Sequence, residues 1–217
     1  MKIFIDFDDA IFNTKKFKQD LIGIFKRHGV TEREFKDTYY TFSVKSQSQG
    51  RHYDLDLQIK ALEESQGVDG KKLKTAVDKF MNNLDAYVFP DVKKFLQKFS
   101  RKDLFILSYG QPKFQKSKIR GTGIEKMASR IFITKRKKIN VILELARKYA
   151  FSKKETILLI DDHPDQFELS EKAKGRIMTL HLCRKEGRYR DLPCERRDYV
   201  TKDLMGVAKI IKKEKMH

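Results

Sequence analysis

The chain opens on a conflict that any fold must resolve. Lys2-Ile3-Phe4-Ile5 is short, apolar and β-branched, the composition of a buried strand. It runs straight into Asp6-Phe7-Asp8-Asp9, three carboxylates within four positions. Like charges that close repel, and burial penalises each charged form further. The conflict recurs at Leu158-Leu159-Ile160, which runs into Asp161-Asp162 with Asp165 close behind. Either segment alone reads equally as a strand ending in an ordinary acidic turn, since Asp is a common turn residue. Ligands of open α/β sheets bind beyond the carboxyl ends of the strands. Hard carboxylate oxygens there suit a divalent cation, Mg²⁺ above all.

Further strand-like runs fall at 104–107, 130–133, 156–160 and 176–182, with a short one at 198–200. Between them, apolar residues recur three or four apart, as at Val92, Phe95, Leu96 and Phe99 or Val141, Leu145 and Tyr149. This alternation predicts an α/β fold, a doubly wound parallel sheet covered on both faces. One gap breaks it. From 14 to 88 the patterns are helical only, with a stripe of Phe17, Leu21, Ile24 and Phe25 and a capping box at Thr31-Glu32-Arg33-Glu34. A helical insertion after the first strand is the simplest account: core from 1–14 and 86–217, helical cap over 15–85. The Ser- and Gln-rich stretch 43–50 reads as a mobile loop within it.

With 16 Phe, 8 Tyr and a 40% hydrophobic fraction, the 217 residues suffice for a real core despite their high charge. The balance of 48 Lys+Arg against 30 Asp+Glu, +18 net, favours anionic partners. Lys predominates and is spread along the chain, so general solubility is the preferred explanation and a nucleic-acid partner the less favoured one. Cys183 and Cys194 match neither a disulfide framework nor a zinc spacing. No run is long enough for a signal peptide or membrane span, so the expectation is a cytoplasmic protein with no membrane partner.

Four points line up at strand ends: Asp6-Phe7-Asp8; Ser108, followed by Tyr109-Gly110; the basic run Lys135-Arg136-Lys137-Lys138; and Asp161-Asp162. Together they resemble the motifs of the haloacid dehalogenase-like (HAD) hydrolase superfamily, as does the segment Val88-Phe89-Pro90-Asp91-Val92-Lys93-Lys94-Phe95-Leu96 where chain returns from cap to core. The resemblance implies a Rossmann-like core with a type 1 helical cap and a Mg²⁺-dependent phosphohydrolase acting on a small phosphomonoester. By that likeness Asp6 is the nucleophile forming an aspartyl-phosphate, and Asp8 the general acid/base. Ser108 binds a phosphoryl oxygen, and a lysine neutralises charge: Lys137 by spacing, Lys138 next, Lys135 third. Asp6, the Asp8 carbonyl and Asp162, with Asp161 beside it, hold the metal. Ala10 stands where the family usually has Thr or Val, which predicts reduced rigidity and keeps open a non-catalytic, nucleic-acid-associated binding protein on the same fold. Carbon–halogen hydrolysis is a weaker alternative, since a metal-independent dehalogenase has no need of paired acids. His52 and His163 are secondary candidates, with His163 read as a cap and Asp165 as a bonding partner of the acidic loop. The segment 184–190 reads as a solvated loop, and Asp9 as a turn residue only.

Overall fold

The computed structural model describes residues 1–41, 44–45, 51–168, 173 and 175–214. Strand β1 (Lys2–Ile5) lies inside a six-stranded, all-parallel sheet. Helices α1 (Thr14–Arg27) and α2 (Glu32–Thr41) follow it, then a two-residue pairing of β2 (Val44–Lys45) with β3 (Arg51–His52). The sequence patterns showed no strand there. Helices α3 (Leu55–Gln66), α4 (Gly70–Met81) and α5 (Val92–Leu96) lead back to the sheet. There β4 (Leu104–Tyr109), α6 (Pro112–Thr122), β5 (Arg130–Thr134), α7 (Lys138–Lys148) and β6 (Ile157–Asp161) alternate. The described chain closes with β7 (Ile177–Leu182), β8 (Tyr199–Thr201) and α8 (Leu204–Glu214).

The sheet order is β5-β4-β1-β6-β7-β8. Successive strands leave β1 first on one side and then on the other, so β1 sits where the winding reverses, the point at which such sheets bind ligands. The doubly wound parallel sheet is therefore as the alternation predicts. Most of the Ser- and Gln-rich stretch, and the His52 side chain, lie outside the described residues.

Local chemistry explains the helices before the second sheet strand. Asn13 caps α1 by accepting from the Lys16 amide at 2.9 Å. The Thr31–Glu34 capping box forms, with the Thr31 amide donating to Glu34 Oε2 at 2.7 Å and the Glu34 amide to Thr31 Oγ1 at 3.3 Å. Helix α3 starts on Asp54 and stops at Gly67, whose φ of 66° suits a left-handed C-cap. The buried faces of α1 and α4 merge with the sheet in one apolar cluster. Phe7, Phe12 and Phe17 bridge the two layers, with ring centroids 5.0 and 5.2 Å apart. Full burial of such a ring contributes ~1.5–3 kcal/mol. At Gly121 a Cβ atom would stand 2.1 Å from the Met81 carbonyl oxygen, so α6 and the end of α4 approach backbone to side-chain-free backbone.

Candidate active site

Register assembles the site. Ile5 pairs with Ile106 on one side and Ile160 on the other. The Asp6 amide donates to the Ile160 carbonyl at 2.9 Å, which sets Asp6 beside Asp161. Asp6, Asp161 and Asp162 each offer one carboxylate oxygen within 4.8 Å of the others, and all three are buried. Ser108 ends up on the same edge, fully buried, its Oγ without a hydrogen-bond partner among the described residues.

The lysine among them is Lys138. Its Nζ lies 2.5 Å from Asp6 Oδ1 and 2.6 Å from Asp161 Oδ2. Spacing favours Lys137 with Lys138 next; Lys137 occupies the N-cap of α7 (φ −52°, ψ 126°) and lines the same cavity, with no ion pair to those acids among the described residues. Its Nζ donates to the Asp165 carbonyl at 2.8 Å and pairs with Glu168 at 3.3 Å. Lys138 is the first helical residue, so its side chain swings to the sheet edge instead. Lys135 is exposed.

Three carboxylates against one ammonium leave this cluster short of positive charge. Burial pushes the Asp6 carboxyl up to about 7, with Lys138 opposing and Asp161 and Asp8 reinforcing. Asp162 is pushed well above the carboxylate range, by burial first and then by Asp6 and Asp161. Asp162 Oδ2 is buried without a partner among the described residues. An orphaned carboxylate oxygen beside two further acids is the donor set a hard divalent cation takes, so these residues fit Mg²⁺.

Asp8 belongs to a separate network. Its carboxylate accepts from Lys118 Nζ at 2.5 Å, Gln115 Nε2 at 2.7 Å and Thr14 Oγ1 at 3.1 Å. Burial raises its carboxyl, but Lys118 and Arg188 outweigh that and hold it at about 2. Asp8 is thus a carboxylate at neutral pH with no proton to give, and a weaker base than an ordinary carboxylate while Lys118 and Arg188 hold it. Gln115 and Lys118 escaped the sequence reading. Their signal was there: polar residues three apart beside Ile119, on the inward face of a helix that follows Ser108.

The loop after β7 also departs from expectation. Arg184 is buried, donates to the Ala10 carbonyl at 2.9 Å and pairs with Asp91 at 2.9 Å. Arg188 Nε reaches Asp9 Oδ2 at 2.5 Å, 179 positions away in sequence. The segment is therefore a loop exposed at Lys185, Glu186, Arg188 and Arg190 that is also tied across the first motif through Arg184 and Arg188. Asp9 turns the chain at φ 57° and also anchors that loop. His163 caps a short turn by accepting from the Asp165 amide at 3.2 Å. Asp161 Oδ1 ties the acidic loop as well, accepting from the His163 amide at 3.0 Å.

Above the acids lies a cavity of about 430 Å³. Asp6, Asp8, Lys138, Asp161 and Asp162 line its floor, and Tyr39, Tyr53, Phe114 and Tyr189 its walls.

No family model and no curated protein matches the chain. Solved structures share its architecture. A haloacid dehalogenase-like hydrolase from Burkholderia xenovorans LB400 superposes at a TM-score of 0.74 and 16% identity, covering 97% of this chain and 96% of that one. The L-2-haloacid dehalogenase of Xanthobacter autotrophicus gives 0.62 at 16% identity over 97% and 98% of the two chains. The magnesium-bound HAD-hydrolase YfnB of Bacillus subtilis gives 0.63 at 14% identity over 97% of each. The likeness at these identities is one of fold. No helix among the described residues is long and apolar enough to cross a membrane.

Proposed function

We propose, from the premise that this chain has the HAD-like hydrolase fold, that it is a Mg²⁺-dependent phosphohydrolase acting on a phosphomonoester. The observation that carries the reading is the buried trio Asp6, Asp161 and Asp162 with one lysine among them. A dehalogenase working without metal has no use for that many clustered acids, and a nucleic-acid binder no use for burying them. A dehalogenase among the similar folds does not alter this, because fold alone does not carry function.

Asp6, Asp162 and the Asp8 carbonyl would hold the metal, with Asp161 beside them. When bound, the cation supplies charge neutralisation between an anionic nucleophile and an anionic phosphoryl group. Asp6 attacks phosphorus, and the bond to the leaving oxygen breaks. Lys138 keeps the attacking carboxylate in place and offsets its charge. Ser108 Oγ, without a partner among the described residues, would donate to a phosphoryl oxygen. Asp8, ionised by Lys118, takes the proton of the water that later hydrolyses the aspartyl-phosphate. The Lys118 ammonium bonded to Asp8 would supply the proton for the departing oxygen. A 15–85 cap would close over the substrate and exclude water.

Hydrolysis of a generic aryl phosphate with and without Mg²⁺ tests the reading. Turnover should require Mg²⁺ and disappear in Asp6→Asn. Full activity in that variant, or none across a broad phosphate panel, would discard it.

A further inference from the structure

The loop after β7 places one cation in the cavity with half of its head unused. Arg188 reaches the fully buried Asp9 through Nε, and its backbone amide donates to the same Asp9 Oδ2 at 3.4 Å. The other Asp9 oxygen accepts from the Thr14 amide at 3.3 Å. The ion pair is therefore one-sided: among the described residues, neither terminal nitrogen of Arg188 has a hydrogen-bond or ion-pair partner. The edge formed by those two nitrogens has the fork geometry that matches a carboxylate or a phosphate. Lys118 and Lys138, which line the same cavity, are 4% and 2% exposed, whereas the Arg188 side chain is 46% exposed. The loop around it is fixed at three points: Arg184 on the Ala10 carbonyl and Asp91, Arg188 on Asp9, and Tyr189 against the His163 ring at 4.0 Å. A cation already held in place loses less freedom on binding than a mobile one. Its position is on the leaving-group side. Ser108 ends β4, while Arg188 arrives from beyond β7, with β1 and β6 between them. Against burial, Lys118 and then Arg188 hold the Asp8 carboxyl at about 2, so Arg188 lies beside the Asp8–Lys118 pair that serves the departing oxygen.

Resting on the phosphohydrolase reading, we infer that Arg188 is a specificity residue whose two unengaged terminal nitrogens take a second oxyanion, carried by the leaving group of the phosphomonoester. A carboxylate and a second phosphate share this chemistry, since each accepts two parallel N–H bonds from one guanidinium edge.

Non-hydrolysable phosphonates separate the inference from the activity it rests on. Calorimetric titration of the Mg²⁺-loaded protein compares propylphosphonate with carboxyethylphosphonate and propylene bisphosphonate. At least one of the two doubly anionic ligands should bind about tenfold or more tighter than propylphosphonate, the scale of one charge-assisted hydrogen bond. The tighter of the two identifies the source of the second anion. Arg188→Lys keeps a point charge for Asp9 but has no second edge, and Arg188→Gln removes the charge altogether. Each should bring that ratio to within about threefold of unity. Equal affinities in the wild type, or a ratio unchanged in both variants, would overturn the inference. So would a loss of affinity by one common factor for all three ligands, which assigns Arg188 to the transferred phosphoryl group instead. A ratio that depends on Arg188 without turnover of any phosphate would overturn the phosphohydrolase reading and leave the second-anion site standing.

Discussion

Replacing Asp6 by Asn should make the metal-free protein more stable while removing the proposed nucleophile. Burial, against the pull of Lys138 and with the push of Asp161 and Asp8, raises the Asp6 carboxyl from 3.8 to about 7. With each tenfold worth ~1.4 kcal/mol, its ionisation in the folded protein costs about 4 kcal/mol at pH 8. An acid raised on folding keeps its proton where the unfolded chain has lost it. Stability therefore falls as pH rises from about 3.8 to about 7, then levels off. Asn has no such slope. Asn keeps a neutral acceptor for Lys138, whose attraction for the charged carboxylate is already contained in the raised value. The gain at pH 8 is therefore about 4 kcal/mol, or some 8–16 °C in Tm for a chain of this size. Thermal melts of both proteins in EDTA at pH 8 and pH 5 read it directly, with the full gain expected at pH 8 and less than half of it at pH 5. Mg²⁺ at pH 8 should raise the wild type and close the gap. A variant that melts at or below the wild type at pH 8, or gains equally at both pH values, refutes the reasoning.

Other perturbations follow from the same geometry. Lys118→Met leaves Asp8 as a buried carboxylate without its main cation and should cost about 3 kcal/mol at pH 7 by urea denaturation. Because Asp8 is depressed to about 2, the wild type holds this stability above about pH 4 and loses it as pH falls towards 2, so the two curves should converge there. Gly121→Ala places a Cβ against the Met81 carbonyl oxygen and should lower stability by about 2 kcal/mol, an overpacking cost visible in the same denaturation curves. Ser108→Ala removes a buried hydroxyl that has no partner among the described residues, so melting should be unchanged or rise slightly while aryl phosphate turnover drops at least about tenfold.

What the amino-acid order determined by itself was local. Strand runs, amphipathic stripes, the Thr31–Glu34 box and the two acid-terminated strands depend on neighbours two to four positions apart, and each formed where its pattern stood. The acids could be recognised as a pair because each breaks a local rule, charge at the end of a buried strand. Their meeting needed the parallel register that sets Ile5 against both Ile106 and Ile160. Tertiary structure alone set Lys138 against Asp6 and Asp161 and Lys137 against the Asp165 carbonyl, since one step in the entry to α7 redirects the side chain. It alone tied Arg188 to Asp9 and Lys118 to Asp8, contacts spanning 179 and 110 positions. It also brought Tyr53 against Phe114, from two layers with no shared period. Periodicity reports which face of an element is buried. It carries no information about which distant charge or ring will meet that face, because packing and desolvation decide that only once the chain has closed on itself.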